Sequence, residues 1–279
     1  MKEIILDTLI DLLKLLPFLF ITFLLMEYFE HKLNKKSKKI VEKSGKYGPI
    51  IGSLLGIVPQ CGFGVMATNL YSARIISVGT LISIYLSTSD EMLPILLSNK
   101  VSSSLIFKIL LIKILVGIIS GVIIDQIYKK KKYEKSLSVC EEKHCDCEHG
   151  IIKSTLKHTL NISLFIFILS LLLNTAFFYL GEKWVSNIFL KGSILSPFIS
   201  SILGLIPNCA ASVLITELFL KGTITFGAMM SGLLTGAGVA IMVLFRQNKN
   251  IKENLKILAY VYFIGVFIGV LIDTISLLW

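Results

Sequence analysis

Apolar positions along this chain come in runs too long for the core of a soluble domain. Residues 15–26 read LLPFLFITFLLM, and 105–124, 162–180 and 257–272 are comparably apolar, with Lys108 and Lys113 the charged residues of the second run. A helix needs about 20 mostly apolar residues to cross a bilayer, so the pattern predicts several membrane-spanning helices. Two other stretches, 47–74 and 195–222, are built differently. Each holds two apolar pieces of about 12 residues, a rise of about 18 Å in helix, well short of the roughly 30 Å hydrocarbon core. The pieces are parted by Val58-Pro59-Gln60-Cys61-Gly62 in one stretch and by Ile206-Pro207-Asn208-Cys209 in the other.

These two phrases belong to a longer repeat. At a constant offset of 148 residues, Pro49 meets Pro197, Gly56 meets Gly204, Pro59 meets Pro207 and Cys61 meets Cys209. The register holds through Thr68/Thr216 and Gly79/Gly227 to GVIID (121–125) and GVLID (269–273). The chain therefore divides into a first transmembrane repeat (1–129), a connecting loop (130–150) and a second transmembrane repeat (151–279).

Composition and charge set the repeat in a membrane. Of 279 residues, 54% are hydrophobic and 16% charged, against about 25% charged in a soluble domain. The net charge of +10 sits in clusters. Seven lysines lie in 32–46, a second cluster runs from Lys129 to Lys157, and Arg246, Lys249, Lys252 and Lys256 form a third. Each cluster flanks an apolar segment, the mark of cytoplasmic loops under the positive-inside rule, and no nucleic-acid partner is expected. Met1–Lys14 carries Asp7, Asp11 and Lys14 with no small-residue cleavage site after the apolar run, so no cleavable signal peptide is expected. With the basic loops inside, the linkers near 98–103 and 181–193 fall outside. Repeat one then begins outside, repeat two inside, and both termini lie outside an inner (cytoplasmic) membrane. The fold class expected is all-α: a polytopic integral membrane protein of two inverted five-segment repeats with broken or re-entrant helices. Parity favours a re-entrant hairpin over a single proline-kinked helix at 47–74 and 195–222, followed by the spanning segments 75–98 and 223–246. Non-helical backbone at that depth is tolerated where protein or water covers it.

The helix breaks carry the candidate chemistry. A half-helix starting after Pro59-Gln60 or Pro207-Asn208 aims free N–H groups and a positive dipole end at the break. Asn208 is the better N-cap residue and Gln60 the poorer. Cys61 and Cys209 would lie in the first turn, where a thiolate is favoured, and together they suit a soft metal or metalloid; packing is the competing role. The second spanning segment breaks too. Ser87-Thr88-Ser89-Asp90-Glu91 offers hydroxyls and carboxylates in repeat one, and Thr235-Gly236-Ala237-Gly238 offers small residues in repeat two. Intramembrane acids are costly and point to function, unless Asp90 and Glu91 lie in water at the outer surface. Asn69 and Glu217 occupy equivalent positions about two turns into the second half-helices. Asp125 and Asp273 recur at the ends of the last helix of each repeat and read as pairing residues. The loop places Cys140, His144, Cys145, Cys147 and His149 within ten residues, a tract that reads as metal-binding although its spacing matches no standard zinc module.

The strings PQCGFG, LSTSDEMLPILLS, PNCAASVLITELFL and GLLTGAGVAIMVLFRQNK resemble the ten-helix heavy-metal exporter family, whose members are labelled manganese transporter or arsenic efflux protein. The resemblance covers nearly the whole chain, with Gly64 standing where members often have serine. It implies a ten-segment inner-membrane exporter of metal or metalloid, a transporter and not an enzyme. Thiolates suit arsenite-like metalloids, Zn²⁺ or Cu⁺, whereas carboxylates, hydroxyls and carbonyls suit Mn²⁺. The phosphate-loop pattern of ATPases is missing from the chain, so an ion gradient or a partner would drive export. Beyond the transported ion and a metal in the loop, no cofactor is expected. The partners expected are the lipid bilayer and the ion, and a homodimer is an assembly open to the chain. The competing functions are an anion or small-solute carrier, a thiol-redox enzyme using Cys61 and Cys209, and a metal-sensing scaffold acting through the loop.

Overall fold

The computed structural model describes residues 47–58, 61–89, 92–128 and 195–278, with separate helical positions between 8 and 24 and between 155 and 175. The side chains of Cys61, Cys209 and the residues after 276 lie outside the described set. Ten helices are described, in two sets of five. The first set is α1 (Gly48–Gly56), α2 (Cys61–Ser72), α3 (Val78–Ser87), α4 (Met92–Ser98) and α5 (Ser103–Tyr128). The second is α6 (Ser196–Gly204), α7 (Cys209–Leu220), α8 (Phe226–Thr235), α9 (Val239–Gln247) and α10 (Ile251–Leu278). The first three helices of the two sets begin and end at the sequence offset of 148 residues. Among the described residues every regular element is helical, and three segments are long and apolar enough to cross a membrane: Ser103–Tyr128, Phe226–Gln247 and Ile251–Ser276.

Local sequence accounts for these bounds. Pro49 and Pro197 sit in the first turn of α1 and α6, where the missing N–H costs nothing. Ser77 and Thr225 cap α3 and α8 by accepting from Thr80 N and Ala228 N. Asp125 and Asp273 complete those caps. Asp125 accepts from Ser77 Oγ (2.7 Å) and Gly79 N (2.8 Å), and Asp273 from Thr225 Oγ1 (2.6 Å) and Gly227 N (2.9 Å). The two aspartates are pairing residues, as the sequence suggests, and their partner is the N-terminus of a neighbouring helix.

Packing follows the same plan twice. α3 lies between α1 and α5, and α8 between α6 and α10. A Cβ at Gly79 would collide with the Gly121 carbonyl, and one at Gly227 with the Gly269 carbonyl, so these backbones touch as small residues allow between membrane helices. The sets then interlock: α2 packs on α9, α7 on α4, and α3 on both α8 and α10. On the outer face of α5, Phe107, Leu111, Leu115, Ile119, Ile123 and Ile127 recur every fourth residue and are exposed. A stripe of that kind suits lipid. The segment Phe226–Gln247, by contrast, is buried for most of its length.

Candidate functional site

The two sets meet at the break between α8 and α9. Helix α8 ends at Thr235, and Ala237 N turns back to Thr235 O (2.9 Å). In an unbroken helix Ala237 N would bond the Leu233 carbonyl. The turn frees that carbonyl, and it accepts from Lys113 Nζ of α5 at 2.6 Å. Gly238 has φ 53° and ψ −138°, a conformation open essentially to glycine alone. α9 then starts with Val239 and Ala240.

Helix α2 closes over this break from the other set. A Cβ at Gly64 would stand 3.1 Å from the Ala240 Cβ, so a serine there would press on α9. Thr68, one turn later and fully buried, has its Oγ1 2.8 Å from Gly64 O, 2.6 Å from Tyr85 Oη and 3.3 Å from Ala240 O. Tyr85 Oη is also within 3.4 Å of Ala240 O. The next residue, Asn69, is 1% exposed, and neither its Oδ1 nor its Nδ2 has a hydrogen-bond partner. Buried polar atoms are nearly always paired, and this amide is open in both directions.

The remaining sequence candidates fall as follows. Asn208 is the N-cap of α7, its side chain accepting from Ala210 N (3.2 Å). Cys61 opens α2 and Cys209 opens α7. Ser87, Thr88 and Ser89 are buried, and their hydroxyls turn onto Ile84 O and Ser87 O. Glu217, the counterpart of Asn69, is half-exposed and pairs with Lys221 one turn away at 3.4 Å. Gln60, Asp90, Glu91 and the loop ligands Cys140, His144, Cys145, Cys147 and His149 lie outside the described residues. Among the described residues no three His, Cys, Asp or Glu side chains gather as a metal centre.

Sequence reasoning passed over two features. One is Lys113, 1% exposed in the middle of an apolar helix; the signal was present, a charge inside a spanning run, yet it read as a mere interruption. The other is a polar clamp between the sets. Arg74 NH1 and NH2 bind Glu253 Oε1 and Oε2 at 2.7 and 2.9 Å, and Tyr71 Oη donates to Glu253 Oε1. Arg74 adopts φ 60°, and its counterpart Gly222 adopts φ 67°. The left-handed turn recurs in both sets, but the first carries an arginine that reaches across. No local signal pairs residues so far apart in sequence.

A family model described as "Putative, 10TM heavy-metal exporter" matches the chain over residues 1–189 and 160–277. No curated protein and no solved structure matches it.

Proposed function

Since the chain belongs to the ten-transmembrane heavy-metal exporter family, we propose that it moves a manganese-like divalent cation or a metalloid out of the cell by alternating access. It does so as two inverted five-segment repeats in the inner membrane, with both termini outside. The reading is carried by one observation: two helix sets, alike in the bounds of their first three helices, pack together around the broken pair α8–α9, and the Asn69 amide of α2 is buried with neither polar atom paired. Transporters built from inverted repeats place substrate where discontinuous helices meet near the midplane.

The site takes its ligands from both sets. Gln60, Cys61, Asn208 and Cys209 stand at the re-entrant breaks, and Ser87, Thr88, Ser89, Asp90 and Glu91 at the break between α3 and α4. Asn69 contributes its amide oxygen. Glu217, on the surface with Lys221, serves the outward approach to the site. Cys140, His144, Cys145, Cys147 and His149 hold a metal on the cytoplasmic side and raise its local concentration. The transported ion is the substrate, and the mechanism calls for no resident cofactor.

The test is elemental content in a metal-sensitive bacterial host challenged separately with Mn²⁺, Zn²⁺, Co²⁺ and arsenite. Lower manganese that depends on Asp90 and Glu91 (D90N/E91Q) makes the site a hard-cation site. Lower arsenite or zinc that depends on the cysteines (C61A/C209A) makes it a thiolate site. No change for any element sinks the export reading. The start of α7, with Asn208 as its cap, also suits an anion; competition by oxyanions without metal would favour that carrier.

A further inference from the structure

The two sets differ at the polar clamp. Arg74 follows α2 with φ 60°, a setting uncommon for any residue but glycine, and its counterpart at the 148-residue offset is Gly222 at φ 67°. Glycine serves this turn better, so what the arginine adds is reach. Its guanidinium forks onto both oxygens of Glu253 in the other set, at 2.7 and 2.9 Å, and lies 5.2 Å from the centre of the Tyr71 ring. Tyr71, itself fully buried, donates to the same carboxylate. The receiving side is braced. Asn248 Nδ2 lies 2.8 Å from Asn254 Oδ1 and 3.4 Å from Glu253 Oε2, and Asn254 Nδ2 donates to the Asn248 carbonyl at 2.8 Å. A bidentate arginine–carboxylate pair is among the stronger hydrogen-bonded contacts in proteins.

The counterpart positions cannot make this clamp. Phe219 stands for Tyr71, Gly222 for Arg74 and Leu105 for Glu253. Gly222 also lies at the other end of the molecule. It leads into Thr225, which is bonded to Asp273, and Asp273 is 20 residues along α10 from Glu253, about 30 Å of helix. At that end Phe219 packs on Phe226 with ring centres 5.9 Å apart, and Lys108 Nζ stands 5.7 Å over the Phe226 ring.

We infer that the clamp is a one-sided latch on the transport cycle. Arg74 and Tyr71 on Glu253 hold α2 closed over α9, and opening of that end requires the pair to part. The opposite end opens without breaking a counterpart of it, so the empty protein rests shut at the clamp. The inference rests on the export reading above and adds to it the control of access to the site.

The experiment reads how often each end opens. Thr68 on α2 and its counterpart Thr216 on α7 are both fully buried. T68C or T216C is placed singly in the full-length chain lacking its native cysteines, and the protein in liposomes is reacted with a water-soluble maleimide. R74G keeps the turn, since glycine makes it in the other set, and E253Q keeps the size of the acceptor. Each is expected to raise T68C labelling about tenfold and to leave T216C labelling at its parent rate or below. The exchange R74E/E253R is expected to bring T68C labelling back toward the parent rate. A merely structural pair would loosen both ends alike. T68C labelling unmoved by R74G, or T68C and T216C labelling raised together, overturns the latch while leaving the export reading standing. Absence of flux by the wild type for Mn²⁺, Zn²⁺, Co²⁺ and arsenite overturns both.

Discussion

Asn69 holds an amide in the protein interior with neither polar atom paired. Burying such a group unsatisfied costs about 1–3 kcal/mol. If that cost is borne for a ligand, N69L will fold at least as stably as wild type and will lose export. Thermal unfolding in detergent, read beside flux, decides it. A marked fall in Tm would instead make Asn69 a structural residue. The sequence pointed to position 69 through the repeat and paired it with Glu217, but the two proved unlike. α2 is covered by α9, and Glu217 on α7 meets Lys221 at the surface. Burial depends on neighbours distant in sequence, which a repeat alone does not reveal. Lys113 was hidden for the opposite reason. Its charge is plain in the sequence, but the Leu233 carbonyl that it bonds lies 120 residues away.

At the scale of elements much more was legible. Prolines, cap residues and glycines act locally, and so the helix bounds of α1–α3 and α6–α8 follow the spacing of Pro49, Ser77, Pro197 and Thr225. The breaks were legible as well, since Pro59 and Pro207 remove N–H donors and Gly238 permits a turn. What local chemistry does not encode is which helix each fragment packs against. The crossing of α2 to α9 and of α7 to α4 had to be seen. Two predictions belong here. D125N and D273N each weaken one cap by about 1 kcal/mol, and near-equal losses in chemical unfolding are expected because the two bonds are alike; loss in one alone would break the equivalence. Arg74, just past the end of α2, and Glu253 join the two sets at that end of α10. A double-mutant cycle with R74A and E253Q is expected to give a coupling of about 1–3 kcal/mol, and R74G to speed opening of that end, read by cysteine labelling. A coupling near zero would reduce the clamp to a surface contact. Arg74 also holds a left-handed turn at a cost of about 1 kcal/mol or more, which its counterpart Gly222 avoids.

For the whole molecule, hydropathy was enough for the helical class and a membrane location, because it acts through bulk solvent and needs no knowledge of contacts. The proposed inverted arrangement makes a sharp statement about sides. Arg74 and Glu253 should lie at the cytoplasmic end, and Lys221 at the external end. Single cysteines placed at positions 250 and 221 of a variant lacking native cysteines should react with a membrane-impermeant reagent from opposite sides. Labelling of both from one side would end the inverted reading. The most direct test of the central claim is ion flux by the chain alone. Purified protein is placed in liposomes loaded with a metal-quenched dye, and Mn²⁺ is added with and without an imposed proton gradient. The account predicts uptake above that of empty liposomes, accelerated by the gradient and abolished in D90N/E91Q. Uptake no faster than in empty liposomes, for Mn²⁺, Zn²⁺, Co²⁺ and arsenite alike, would contradict it.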